Sequence, residues 1–236
     1  MLSIIIITRN EEKYLPRLLK SIQKQNFKDY EIIVADAAST DKTREIAKSF
    51  GCKVVKGGLP SVGRNNGVKA AKRDLLIFFD ADVVLPKNFL EKNLSEFKKR
   101  KVDAATVTLV PNSKRIVDKG FYVFYNNYLR MLEKISPYAV GGCIISTREI
   151  FDKINGFDET IKMAEDVDFV NRCSKNGGKF RILKSVPILY DVRRFDREGR
   201  VRMAVKYLYL GVYMILFGQT KKSPFKYDLQ GVPTDK

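Results

Sequence analysis

Four short apolar segments near the start of the chain constrain the fold more than any other feature of this sequence. They run over residues 2–7, 30–35, 53–55 and 75–79, and segments with helical character separate them. Continuous β-branched and aliphatic runs of this length are typical of parallel strands that are buried on both faces. Strands that alternate with helices predict an α/β protein whose mostly parallel sheet is flanked by helices.

Caps, prolines and apolar spacing predict where the other elements begin and end. Asn10 to Glu12 predicts the start of the first helix, and Pro86 predicts the start of a helix that ends near Arg100. The other main predicted helices are at 65–72, 114–134 and 166–174, and the later predicted strands are at 103–110, 138–146 and 179–186.

Three of the four early strands end in a polar residue. These residues are Thr8, Asp36 and Asp80, with Asp82 two positions further on. Open α/β sheets bind ligands in the crevice at the carboxyl ends of their strands. Two carboxylates separated by one residue offer oxygen ligands to Mg²⁺ or Mn²⁺ while leaving positions for phosphate. The alternative is that an acid such as Asp36 only caps the helix that follows it.

Histidine is absent from the sequence, which excludes Ser-His-Asp catalysis, Cys-His catalysis and every His-ligated metal site. Acid–base chemistry must then come from Asp, Glu, Lys, Tyr or Cys. Cys52, Cys143 and Cys173 are far apart and form no CxxC pair, so we expect a reducing compartment. No GxGxxG follows the first strand, which disfavours a dinucleotide-dependent dehydrogenase, and the absence of GxxxxGK[ST] excludes a P-loop enzyme.

The formal net charge of +17 favours an anionic partner. A phosphate-bearing substrate, a nucleic acid or an acidic lipid surface would all suit it, and solubility alone is an equally good reason for scattered lysines. We do not expect nucleic-acid binding, because the lysines are dispersed and the acidic strand ends would repel a phosphate backbone.

Six motifs occur in the order and rough spacing of glycosyltransferase family 2, which the sequence resembles over about residues 2–190. They are Thr8–Glu12, Val34–Asp36 with Ser39–Asp41, Gly63–Gly67, Asp80–Asp82, Gly156–Glu159 and Glu165–Phe169. The resemblance implies the GT-A fold, a Rossmann-like sheet flanked by helices. It also implies an inverting enzyme that uses a nucleotide sugar. The donor base stays open between UDP and GDP, since a carboxylate can accept a hydrogen bond from either base.

The resemblance also implies roles for individual residues. The expected nucleotide-sugar ligands are Thr8, Glu11, Asp36, Arg64, Asp80 and Ala81, with Asp36 at the base. The expected Mg²⁺ or Mn²⁺ ligands are Asp82 and Asp80. The residues expected near the acceptor or the diphosphate are Gly141, Gly142, Glu165, Arg193 and Arg194. The two arginines resemble a basic-aromatic element of the family, although Val192 stands where the family has Gln.

Asp166 looks like the catalytic base. Inversion by a single displacement needs one base for the acceptor proton and one cation for the leaving diphosphate. Asp166 and the Asp80–Asp82 metal site would supply these two groups. The alternative for Asp166 is a cap at the start of the following helix.

The composition changes at Arg193, which predicts a GT-A domain over residues 1–192 and a basic, amphipathic segment over residues 193–236. Within it, Met203 to Phe217 is apolar and bordered by basic residues, as in a helix lying on an anionic membrane surface. A last core helix or a dimer interface are the alternatives.

The N-terminus does not resemble a signal peptide, and the late apolar run is too short to span a bilayer. We therefore expect a cytoplasmic protein, peripheral at the inner membrane face, with a lipid-linked or saccharide acceptor. The sequence does not indicate an oligomeric state.

Two other function classes fit parts of the sequence. A metal-dependent nucleotidyltransferase of related fold would need a Gly-rich basic loop after the first strand, and Thr8–Glu11 is not such a loop. A basic, non-catalytic protein that binds nucleic acid or a membrane surface would not need Asp80, Asp82 and Asp166 together.

Overall fold

The computed structural model describes residues 1–133, 137–139, 141–203, 205 and 209. The strands are β1 (Leu2–Thr8), β2 (Tyr30–Asp36), β3 (Lys53–Lys56), β4 (Leu75–Asp80), β5 (Val83–Val84), β6 (Ala104–Pro111), β7 (Cys143–Thr147) and β8 (Phe180–Tyr190). The helices are α1 (Leu15–Gln23), α2 (Thr43–Ser49), α3 (Pro60–Ala70), α4 (Phe89–Arg100), α5 (Ile116–Leu132), α6 (Arg148–Lys153), α7 (Glu165–Lys175) and α8 (Arg193–Glu198). The strands form one sheet in the order β3-β2-β1-β4-β7-β6-β8-β5.

Strands β1 to β4 pair with one another in parallel, and so do β6 and β8, as expected for a mostly parallel sheet. β1 is parallel to both β2 and β4, β2 to β3, and β6 to β8. β7 is antiparallel to both of its neighbours, and β5 is antiparallel to β8. In the β4–β7 pair, Cys143 faces Phe79. β7 therefore starts at the carboxyl end of β4, and the residues just before it lie at the ligand-binding edge of the sheet.

The sheet is buried on both faces, which is why its early strands are apolar throughout. Within β1, Ile4 and Ile6 belong to one hydrophobic cluster, while Ile5 belongs to another. This division follows from the two-residue period of a strand. The second cluster contains a group of phenylalanine rings, in which Phe157 stacks on Phe169 at 4.4 Å between ring centroids. These rings support the segments on which several site residues lie.

Two predicted helix starts were wrong. α1 begins at Leu15 rather than near Asn10: the N–H groups of Tyr14 and Leu15 close one turn on the Glu11 carbonyl, and Pro16, which has no N–H, interrupts the hydrogen-bond ladder after it. α4 begins at Phe89 rather than at Pro86, because Asn88 has a φ of 60°. A residue in this conformation cannot continue a right-handed helix.

Two other predicted boundaries near the site were also wrong. α3 begins at Pro60, so Gly63 and Arg64 lie within a helix rather than in the loop that the sequence predicted. β7 begins only at Cys143, and Gly141 and Gly142 form the turn before it. The sequence pattern also did not predict α6, a helix of six residues that follows β7 directly.

The described part of the C-terminal segment packs on the preceding domain. Phe195 and Met203 are buried in the first hydrophobic cluster, whereas Val205 and Tyr209 are exposed. The side chain of Arg194 and most of residues 203–217 lie outside the described part, so the predicted membrane helix stays a prediction. Among the described residues, no helix has the length and apolar character needed to cross a bilayer.

Candidate active site

A cleft of about 280 Å³ opens at the carboxyl edge of the sheet. Ten of the predicted site residues line it: Thr8, Glu11, Arg64, Asp80, Ala81, Asp82, Gly141, Glu165, Asp166 and Arg193. They come from separate strand ends, from α3, from the turn before β7 and from α7 and α8. The cleft therefore collects nearly all the predicted groups at one place.

Asp36 lies behind the cleft wall, next to Thr8. Its carboxylate accepts hydrogen bonds from the Thr8 hydroxyl at 3.1 Å and from the Ser39 backbone N–H at 3.0 Å. The Ser39 hydroxyl also donates to it, and Arg44 approaches within 3.7 Å. Thr8 and Asp36 are partners in the β1–β2 register, which explains this contact. The carboxylate is thus held in one orientation at the end of β2.

Asp80 and Asp82 each face an arginine. Nη2 of Arg64 lies 3.2 Å from Oδ1 of Asp80, and Nη2 of Arg193 lies 3.1 Å from Oδ2 of Asp82. Asp82 is buried and Asp80 is partly exposed to the cleft. The two carboxylates sit at the exit of β4 as the sequence predicted, and each is balanced by a positive charge.

The Asp80–Asp82 pair fits a hard divalent cation that shares its coordination with phosphate. Among the described residues there is no group of three or more Asp, Glu, Cys or His that would hold an ion alone. Mg²⁺ typically binds one or two carboxylates and takes its remaining ligands from phosphate and water. A Cβ added to Gly141 would lie 3.5 Å from both Asp80 Oδ2 and Asp166 Oδ2. The glycine therefore leaves space beside both carboxylates.

Arg193 joins the C-terminal side of the cleft to the end of β1. Its guanidinium makes two hydrogen bonds to the Glu11 carboxylate, at 2.7 and 3.1 Å, besides its ion pair with Asp82. It also stacks over the Tyr14 ring at 4.3 Å from the centroid. Hydrogen bonding to Glu11 and the nearby Asp82 carboxylate raise the already high pKa of Arg193 despite its burial, so it stays charged. Tyr14 was not among the predicted residues.

Asp166 lies in the first turn of α7 but does not cap it. The N-cap is Ala164, whose φ is 59°, and the Asp166 Oδ1 accepts a hydrogen bond from the N–H of Val167 at 2.9 Å. The preceding Glu165 pairs with Nη1 of the buried Arg64. Arg64 thus bridges Glu165 and Asp80, on two sides of the cleft.

Burial raises the pKa of Asp166 to about 7. Repulsion from the Glu165 carboxylate adds to this effect, and attraction to Arg64 opposes it. Asp80 raises the pKa further. A carboxylate with a pKa near neutrality accepts a proton better than an ordinary aspartate does at the same pH. Asp166 is therefore a cleft carboxylate with a raised basicity.

The aromatic wall of the cleft and the clamp that supports α7 were not predicted. The wall residues are Phe121, Tyr122, Tyr125, Tyr138 and Tyr190. The clamp consists of two hydrogen bonds between Asn65 and Phe157. Nδ2 of Asn65 donates to the Phe157 carbonyl at 2.8 Å, and Oδ1 of Asn65 accepts from the backbone N–H of Phe157 at 2.9 Å. Gly142, which was predicted near the acceptor or the diphosphate, does not line the cleft; it packs against the ring of the wall residue Tyr190. The aromatic content of α5 was the only sequence signal for the wall.

Comparison with known families agrees with this geometry. The model described as "Glycosyl transferase family 2" matches residues 3–155, and one described as "N-terminal domain of galactosyltransferase" matches residues 129–196.

Two curated relatives illustrate the range of the similarity. Poly(ribitol-phosphate) beta-N-acetylglucosaminyltransferase TarS of Staphylococcus aureus is 26% identical over 203 residues, which cover 81% of this chain and 35% of TarS. GalNAc(5)-diNAcBac-PP-undecaprenol beta-1,3-glucosyltransferase of Campylobacter jejuni is 37% identical over 91 residues, which cover 34% of this chain and 29% of that protein. The chain thus spans about a third of the length of these relatives.

Solved structures share the fold at lower identity. TarS residues 1–349 in complex with UDP-GlcNAc align with a TM-score of 0.66 at 22% identity, covering 80% of this chain and 58% of that one. The mannosyltransferase PcManGT from Pyrobaculum calidifontis, in complex with GDP-Man and Mn²⁺, aligns with a TM-score of 0.70 at 20% identity, covering 92% and 70%. The fold is therefore GT-A, and the family match over most of the chain establishes that this protein belongs to glycosyl transferase family 2.

Proposed function

We propose that this protein transfers a sugar from a UDP- or GDP-sugar to an acceptor oxygen, with inversion at the anomeric carbon. The observation that carries the proposal is the position of Asp166. This carboxylate has a pKa of about 7 and lines the same cleft as the Asp80–Asp82 pair. One base and one cation site in one cleft are the groups that a single displacement requires.

The nucleotide is expected to lie along the ends of β1 and β2. The family resemblance assigns Asp36 to the base; in the structure both of its carboxylate oxygens already accept hydrogen bonds from Thr8 and Ser39, so the base would have to share or replace one of these contacts. Glu11 lines the cleft and is proposed to lie near the base or the ribose. The backbone at Ala81 would contact the diphosphate side of the donor. The base stays open between uracil and guanine.

Mg²⁺ or Mn²⁺ would be held by Asp82 and Asp80, and the bound ion would neutralise charge on the leaving nucleotide diphosphate. PcManGT, which shares the fold, forms a complex with GDP-Man and Mn²⁺, and this supports the assignment. Arg193, which pairs with Asp82 in the structure, would shift its charge towards the diphosphate when the donor and the ion bind.

In the proposed reaction, the acceptor oxygen attacks the anomeric carbon from the face opposite the diphosphate. A new carbon–oxygen bond forms while the bond to the diphosphate breaks, and the electron pair leaves with the nucleotide diphosphate. Asp166 takes the proton of the acceptor hydroxyl. Burial raises the pKa of Asp166 to about 7, and the neighbouring Glu165 and Arg64 act on it in opposite directions.

The acceptor is proposed to be lipid-linked, with a soluble saccharide as the alternative. The Campylobacter relative is named for a substrate on a PP-undecaprenol carrier, which supports a lipid. Residues 193–236, proposed as a segment distinct from residues 1–192, would bring the enzyme to the cytoplasmic face of a membrane. The Met203–Phe217 stretch and its basic neighbours would bind an anionic surface.

A panel of UDP- and GDP-sugars tests the core of this proposal. We expect one sugar nucleotide to bind more tightly when Mn²⁺ or Mg²⁺ is added, and to be hydrolysed slowly without an acceptor. NMR of the transferred sugar should show the opposite anomeric configuration to the donor. Retention of configuration would rule out the single displacement, and no binding by any member of the panel would rule out the donor class.

A further inference from the structure

One face of α5 carries apolar side chains that the rest of the described fold does not cover. These side chains are Ile116, Val117, Val123, Phe124 and Met131, each at least 61% exposed, and we call this set the α5 apolar face. Successive helix residues are about 100° apart, so the set falls within an arc of about 120°. Met1 aside, the other large apolar side chains that are exposed in the described chain lie at 201, 205 and 209.

The opposite side of α5 is also apolar. Tyr122, Leu129 and Leu132 are buried, and Phe121 packs edge-on against Phe195 of α8 at 5.2 Å. α5 thus carries apolar side chains on two opposite sides, and the described fold covers one of them. A contiguous exposed apolar patch on a soluble protein marks an interaction surface. The α5 apolar face is therefore expected to have a partner.

Most charges beside the α5 apolar face are positive, and one of them, on Arg115, is paired with Asp196 of α8 at 3.6 Å. Lys114, Arg115, Lys119 and Arg130 are exposed at its start and along its border. Asp118 is the one acid of α5, and it is buried with its Oδ1 2.6 Å from Nε of Arg200. A second copy related by a two-fold axis would place these like charges together, which costs free energy. An anionic partner with an apolar layer fits the face better.

The α5 apolar face is also close to the cleft. Phe121, Tyr122 and Tyr125 line the cleft from the other side of the same helix. A helix with its side chains is about 10–12 Å across, so a surface bound to the outer face lies one helix diameter from the cleft. The chain that carries the exposed Val201 is tied to α5 by the Arg200–Asp118 ion pair.

We propose that the α5 apolar face docks into the headgroup layer of an anionic lipid bilayer, with Lys119 and Arg130 at the lipid phosphates. A helix with an apolar face and basic borders lies in the plane of such an interface. Docking does not depend on sugar transfer. Its consequence, delivery of a lipid-linked acceptor to the aromatic wall of the cleft, rests on the proposed function.

A single tryptophan tests this docking, because the natural sequence has none. In Phe124→Trp, we expect the indole to be accessible to acrylamide in buffer and to shift to shorter wavelength on vesicles of phosphatidylcholine with phosphatidylglycerol. Brominated acyl chains should quench it, and pure phosphatidylcholine vesicles should have a much weaker effect. An indole that anionic vesicles leave unchanged at low salt would overturn the proposal.

An indole that is already shielded in buffer would also overturn it. Light scattering would then show what covers the α5 apolar face. A dimeric protein would mean that a second copy covers it, and a monomeric protein would mean that another part of the chain does.

Paired variants separate the apolar and charged contributions. The triple variant Val117→Ser, Phe124→Ser, Met131→Ser should weaken vesicle partitioning by about tenfold or more, since each side chain loses its apolar transfer. Lys119→Glu with Arg130→Glu should abolish the preference for anionic lipid. Lys98→Gln with Lys99→Gln on α4 is the control for removed charge and should partition nearly as the natural protein does.

Nucleotide-sugar binding measured without vesicles should be unchanged in every one of these variants. A variant that no longer binds vesicles but still binds the donor would show that the α5 apolar face acts in membrane binding and not in donor binding. A natural protein that binds the donor but not anionic vesicles would contradict the docking and leave the proposed donor intact, and one that binds vesicles but no sugar nucleotide would contradict the proposed donor and leave the docking intact. Unchanged partitioning of the triple serine variant would overturn the docking.

Discussion

Nη2 of Arg193 lies 3.1 Å from Oδ2 of Asp82, so an arginine cation stands beside the carboxylate that is proposed to bind the metal. The same guanidinium is bound to Glu11 through two hydrogen bonds. A divalent ion at Asp82 would have to share this carboxylate with Arg193 or displace it. Metal binding and the position of α8, which starts at Arg193, are therefore expected to be linked.

Asp82→Asn tests the metal site. The amide keeps the shape of the side chain but removes the charge that attracts a cation. We expect kcat/KM to fall by about 10²–10³-fold, the range for losing one preorganised electrostatic contact. The gain in donor affinity on adding Mn²⁺ should also disappear in titration calorimetry. Turnover by the natural protein that persists in excess EDTA would contradict this prediction.

Asp166→Asn tests the base. Transfer should fall by about 10²-fold or more, a typical loss for a positioned base, while donor binding should persist. Single-turnover transfer and calorimetric donor binding measure the two effects separately. Asp152→Asn, at an exposed acid of α6, is the matched control and should leave both unchanged. Equal losses of binding and transfer in Asp166→Asn would assign Asp166 to the donor site instead.

The raised pKa of Asp166 predicts a pH dependence of both rate and stability. The ionised carboxylate is the base, so kcat/KM should rise with pH through about 7. The pKa of Asp166 is higher in the folded chain than in the unfolded chain. Ionisation of its carboxyl group therefore lowers the stability of the fold as the pH rises from the unfolded-state pKa to about 7. Melting curves of Asp166→Asn should lack this part of the decline. A rate that is flat across neutral pH would contradict the assignment.

Arg64→Ala tests the bridge between Glu165 and Asp80. Arg64 is buried and pairs with both acids, so its removal leaves two carboxylates without their counter-charge. We expect a loss of about 3–5 kcal/mol in the free energy of unfolding, measured by urea denaturation. Arg17→Ala breaks the more exposed 3.4 Å pair with Asp191 and should cost only about 0–1 kcal/mol. Similar costs for the two variants would show that burial does not make the Arg64 bridge more important to stability than a surface pair.

Gly141→Ala tests the space beside the carboxylates. The added Cβ would lie 3.2 Å from Nη2 of Arg64 and 3.5 Å from Oδ2 of Asp166. A small displacement of catalytic groups lowers the rate strongly, so we expect transfer to fall by about tenfold or more with little change in melting temperature. Gly120→Ala, which meets open space on α5, is the control and should stabilise by about 0.5–1 kcal/mol. Full activity in Gly141→Ala would show that the space is not used.

The local sequence pattern determined the early strands and the polar residues at their ends. Apolar runs identify β1, β2 and β4, because strands buried on both faces carry apolar side chains at nearly every position. The register then places Thr8 opposite Asp36 and Ile7 opposite Asp80, so the acids predicted at the strand ends do meet at one edge. The start of α4 was predicted less well, since the left-handed backbone of Asn88 has no apolar signal.

Tertiary structure alone decided how the groups of the site act on one another. Arg64 meets Glu165 across 101 positions of sequence, and Arg193 meets Glu11 across 182. Neither pairing has a local pattern, because both depend on how α7 and α8 pack against the sheet. The raised pKa of Asp166 has the same origin. Desolvation and the distances to neighbouring charges set a pKa, and both quantities exist only once the chain has folded.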